Sequence, residues 1–148
     1  MYAEAISDEA IRIQESIRES ENQISNYISF SKRSALDELL DVWQDCETEN
    51  WDGQGALAVA RGTYLNGCAF IDSLPIGSPL PAAGAEPDGH LTFEWHVNPR
   101  KTLSVSIGPD RMLYYSALIG SDDPRGSSPF YGETPESIIS LIRRVYKA

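Results

Sequence analysis

The feature that most constrains this chain is a zigzag. Leu91, Phe93, Trp95 and Val97 alternate with Thr92, Glu94 and His96. After the turn Asn98-Pro99-Arg100, Leu103, Val105 and Ile107 alternate with Ser104 and Ser106. After Pro109-Asp110-Arg111 the run MLYYSALI supplies a further strand. Side chains on a strand point alternately to its two faces, so this pattern predicts antiparallel strands with one buried face and one wet face. The buried face needs a lid, and helices are the available material. A short edge strand is expected near Ala82 to Glu86, inside a Pro/Gly-rich connection over 74–89.

The rest of the chain reads as helices and loops. Residues 4–30 and 34–46 predict two helices. Ser7 and Asp8 suit the start of the first, and Ser34 with Asp37 forms a capping box for the second. The polar stretch Ser29 to Arg33 is read as either a turn or a continuation of one rod. A third helix is expected over 58–73, weakened by Gly62 and Gly67. Residues 120–133 read as a long loop. Thr134, Pro135 and Glu136 then open a last helix carrying Ile138, Ile139, Leu141, Ile142 and Val145. The expected fold is α+β: a three- to four-stranded antiparallel meander with helices packed on one face and a long N-terminal amphipathic helix. Residues 1–46 form an acidic helical region and 47–148 an α+β module, in one compact domain.

Charge narrows the function classes. The chain of 148 residues has a net charge of −10, and residues 1–50 hold 12 of its 22 acids. Such a surface repels phosphate backbones, so direct nucleic-acid binding is not expected. It favours a basic protein partner. No apolar run is long enough to span a bilayer, so no membrane association is expected. The opening MYAEAISDEA lacks the basic-then-apolar order of a signal peptide, which makes a cytoplasmic location the expectation. Cys46 and Cys68 have no metal-ligand spacing and read as two thiols in a reducing compartment.

In the first helix Ile6, Ala10, Ile13, Ile17, Ser20, Ile24 and Tyr27 follow spacings of four and three, the seam of a heptad repeat. The stripe requires a cover: the chain's own body, a second copy, or another protein. The contact residues expected for a partner are Ile13, Ile17, Ile24 and Tyr27, with Glu15, Glu19 and Glu21 at the rim.

Reactive chemistry is sparse. No nucleophile elbow, P-loop or dinucleotide fingerprint is present, and no cofactor or metal is expected. Glu94 and His96 lie two apart on one strand, about 6.5–7 Å along it, but the neighbouring strand offers them only Ser104 and Ser106. His90 lies too far along the strand to join them without a bend. A composite acid–base site would bring together Trp51, Asp52, Glu94 and His96, with the Trp51 loop folded over the polar sheet face. Otherwise Trp51 anchors its loop while Asp52 and Gly53 make a turn.

Asn50-Trp51-Asp52-Gly53-Gln54-Gly55-Ala56, followed by Pro87-Asp88-Gly89 and Phe93-Glu94-Trp95, resembles a group of small uncharacterised bacterial proteins. These share a W-D-G-x-x-A loop, a helix, a Pro-rich link and a strand ending in Glu-Trp. The resemblance covers about residues 49–119 and implies a bacterial or phage origin, with no activity or residue role attached. The leading expectation is a non-catalytic acidic binding module, such as an antitoxin, immunity protein or phage-encoded inhibitor. The alternatives are a small enzyme with the Asp/Glu/His site, and a structural homo-oligomer or homodimer joined through the first helix.

Overall fold

A computed structural model describes residues 7–148. The elements run α1 (Asp8–Cys46), α2 (Arg61–Ser73), β1 (Ala82–Ala85), β2 (Leu91–Asn98), β3 (Lys101–Ile107), β4 (Met112–Ile119), β5 (Arg125–Pro129) and α3 (Glu136–Tyr146). The strands form one antiparallel sheet in the order β1-β2-β3-β4-β5. The fold is therefore α+β, with five strands rather than three or four.

The alternation places the sheet core as expected except at Val97, which is exposed where the β2–β3 register shifts between His96 and Asn98. Leu91 pairs with Ile107, Phe93 with Val105 and Trp95 with Leu103, and all six are buried. On β4, Leu113 and Ala117 continue that face. Helices α2 and α3 cover it, bringing Phe70, Ile71, Ile138, Leu141, Ile142 and Val145 to the same cluster. Each such side chain contributes on the order of 1.5–3 kcal/mol by leaving water. Gly67 lets α2 approach closely. A Cβ there would lie 3.2 Å from Leu39 Cδ2 and 3.3 Å from Leu91 Cδ1 and Phe93 Cζ. The glycine that weakens the helical pattern in sequence thus sits at a tight packing contact.

The extra strand lies where a loop was expected. Arg125–Pro129 pairs with Met112–Ser116 of β4. Its sequence, RGSSP, has no hydrophobic alternation because it forms an edge and buries little. Gly126 makes room for the end of the Tyr115 side chain, whose hydroxyl oxygen would stand 2.5 Å and ring Cζ 2.8 Å from a Cβ at that position.

The two N-terminal helices are one. α1 runs without interruption for 39 residues, about 58 Å at 1.5 Å per residue. Ser34 is therefore an interior residue, not a cap. Nothing between Asp8 and Cys46 breaks a helix, since neither Gly nor Pro occurs there. The start is as expected, with the Ser7 hydroxyl accepting from Ala10 N–H at 3.1 Å. Residues 4–6, including Ile6 of the seam, lie outside the described residues.

Only the last third of α1 belongs to the core. Ala35, Leu39 and Cys46 are buried. Trp43 stacks on Tyr64 of α2 at 4.5 Å and donates from Nε1 to Val59 O. Burial pushes the Cys46 thiol pKa up, and Asp45 adds to the effect. Lys32 marks where the helix leaves the body: its ammonium donates to the carbonyls of Asp72 and Leu74 at the end of α2. Glu38 reaches the β1 edge, where Oε1 accepts from Ala83 N–H.

Thr134 does not cap α3. Its hydroxyl turns inward to Ser73 Oγ at 2.6 Å, while Ser73 donates to Phe70 O. The first-turn amides of Ile138 and Ile139 are satisfied instead by Pro135 O.

Candidate functional site

The first two-thirds of α1 carries an uncovered apolar stripe. Ile17 is 53%, Ile24 60% and Tyr27 72% exposed, and Ile13 is equally open. No element of the described chain covers this face; the contacts of α1 are with α2 and β1 through its C-terminal part. At 100° per residue, Ile13, Ile17, Ile24 and Tyr27 fall within an arc of about 80°. Glu9 and Glu21 lie at the two edges of that arc. Glu15 and Glu19 lie on the far side of the helix, so of the three expected rim glutamates only Glu21 borders the stripe. At its C-terminal end the stripe meets a groove between α1 and the 75–80 loop, lined by Tyr27, Ser31, Lys32, Ile76 and Leu80. Ile76 is itself largely exposed.

The residues of the expected acid–base site have separate tasks. Asp52 Oδ1 accepts from the backbone N–H groups of Gln54 and Ala56. Asn50 Oδ1 accepts from Gly55 N–H, and Trp51 donates from Nε1 to Leu57 O. Gly53 and Gly55 take positive φ, and so does Asn50. The loop is thus a self-capped turn anchored by its tryptophan. Glu94 and His96 project from the wet face of β2 and line a shallow depression with Leu80, Ala82 and Tyr146. Among the described residues no hydrogen bond or ion pair links Asp52 to Glu94 or His96. Opposite Glu94 on β3 stands Ser104, and opposite His96 stands Thr102.

No protein-family model, curated protein or solved structure matches this chain. Its functional reading therefore rests on its own surface.

A second cluster, absent from the sequence reading, sits where β1 turns into β2. His90 and Asp88 meet with Nδ1 donating to Asp88 Oδ2 at 2.7 Å, and the His90 N–H reaches Asp88 Oδ1. Partial burial opposes ionisation of Asp88, but these two hydrogen bonds outweigh it and hold its pKa below the ordinary carboxylate value. Glu86 Oε1 accepts from Ser106 Oγ at 2.9 Å. Nearby, Tyr114 donates to Asp110 Oδ2 at 2.7 Å, which lowers the Asp110 pKa and raises that of Tyr114. The sequence signal was the alternation Glu86-x-Asp88-x-His90 around Pro87 and Gly89. A tight turn returns such residues to one side, whereas a straight strand would spread them.

Of the described residues, no helix is long and apolar enough to cross a membrane.

Proposed function

We propose that this chain is a non-catalytic protein-binding module that engages a basic partner through α1. The observation that carries the reading is the uncovered stripe of Ile13, Ile17, Ile24 and Tyr27. A solvated apolar seam of this length is costly unless something occupies it, and amphipathic helices are commonly bound in grooves through such spacings. Charge supports the sign of the partner. Residues 8–31 carry Asp8, Glu9, Glu15, Glu19 and Glu21 against Arg12 and Arg18. Glu9 and Glu21 at the edges of the stripe have Arg12 and Arg18 three residues away toward the polar side, and among the described residues neither acid is ion-paired to them. The two acids would meet the rim of a basic groove, speeding encounter and disfavouring acidic competitors.

A second reading is favoured by one observation. Between Asp8 and Tyr27, the positions flanking the seam hold Glu9, Gln14, Ser16, Glu21 and Gln23. In a parallel pair Glu9 would face Gln14 and Ser16 would face Glu21, so two copies meet no opposed like charges. Homodimerisation through the same stripe is then the alternative occupant.

The test uses the full chain and its I17D/I24D variant as baits for host proteins, with sedimentation of both across a concentration series. Both substitutions lie outside the core, so the variant is expected to keep its circular dichroism. The reading expects a basic partner that binds the native chain, weakens in high salt and is lost from the variant. Concentration-dependent dimers abolished by I17D/I24D would support the second reading. Identical partners on both baits, with both chains monomeric, would refute the two together.

A further inference from the structure

Glu86, Asp88 and His90 come from alternate positions of one turn, and the structure brings their side chains together. One donor atom from each lies within 4.8 Å of the other two. Metal–ligand bonds to zinc are about 2.0–2.2 Å, so small side-chain rotations would bring the three atoms onto one ion.

The residues are held for this task from several sides. Gly89 adopts φ +90°, which closes the turn, and Gly89 N–H donates to Glu86 O. The backbone then pairs Glu86 N–H with His90 O at 2.9 Å. The Ser106 hydroxyl on β3 fixes one oxygen of Glu86. The His90 ring packs against Gly108, where a Cβ would stand 2.2 Å from its Nε2 and Cδ2. Gly108 is in turn tied by its carbonyl to Asn66 Nδ2 of α2. The imidazole position is therefore set by the body of the protein, not only by its own turn.

We propose that Glu86, Asp88 and His90 form a binding site for a divalent first-row cation of the zinc type. Two carboxylates with one imidazole suit such an ion better than magnesium or calcium, which favour all-oxygen sets. The Tyr114 ring, whose hydroxyl donates to Asp110 Oδ2, lies 6.1 Å from the His90 ring and brings a further carboxylate into the neighbourhood. Ser106 would serve as the outer hydrogen bond that orients Glu86. The ion would replace the hydrogen bond between Asp88 and His90 and clamp the β1–β2 connection. This site is independent of the α1 stripe, and either proposal stands if the other fails.

The experiment titrates zinc chloride into the full chain, read by calorimetry and by the imidazole proton signals. The chain has two histidines, which makes assignment direct. The expected result is one-to-one binding that moves the His90 signals, leaves those of His96 in place and raises the melting temperature. H90Q and E86Q are each expected to weaken binding by about tenfold or more, and H96Q to leave it unchanged. Absence of binding, movement of the His96 signals instead, or native affinity in both H90Q and E86Q would overturn the assignment.

Discussion

At the third position of α2 the Thr63 hydroxyl is fully buried and has no hydrogen-bond partner among the described residues. Leaving such a group unpaired costs on the order of 1–3 kcal/mol, whereas an apolar group of the same shape costs nothing there. T63V keeps the β-branch and removes the stranded hydroxyl. It is expected to raise stability by about 1 kcal/mol in urea unfolding. A loss of stability would show that the hydroxyl is satisfied in solution. The tryptophans show the opposite arrangement. Trp43, Trp51 and Trp95 each donate to a backbone carbonyl, those of Val59, Leu57 and Pro79. Each bulky ring is thereby packed at no polar cost, and each pins a loop that the sequence marks with glycine or proline.

Among the elements, legibility followed burial. β2, β3 and β4 alternate in sequence because one face is core and the other is water, and their ends fall within two residues of the alternating runs. β1 was visible as a short edge despite its alanines. β5 was not, because Gly126 and Ser127 are exposed, Ser128 is only half-buried, and none of them leaves a hydrophobic mark. The polar run from Ser29 to Arg33 left turn and rod equally open, and uninterrupted backbone pairing decided for the rod. Within the site, the stripe residues were readable from spacing alone. Which glutamates border the stripe required helical geometry, and the turn cluster at His90 required the fold. One consequence follows for α1. Its N-terminal part makes no contribution to the core, so a chain lacking residues 1–29 should keep its urea midpoint, with stability changed by less than about 0.5 kcal/mol. A loss of several kcal/mol would show that the segment docks on the body.

For the whole molecule, the division of labour is between a roofed sheet and a projecting rod. The sheet buries its apolar face under α2, α3 and the C-terminal part of α1 in one hydrophobic cluster. The rod has backbone hydrogen bonds but little tertiary cover over the described side chains between Asp8 and Phe30, and helices in proteins draw most of their stability from such packing. Amide hydrogen exchange resolved along the chain, on a dilute sample shown to be monomeric by sedimentation, measures this contrast directly. The account requires the amides of residues 10–30 to exchange orders of magnitude faster than those of 36–46. Equal protection along the whole of α1 in the monomer would mean that the stripe is already covered by its own chain, and would contradict it.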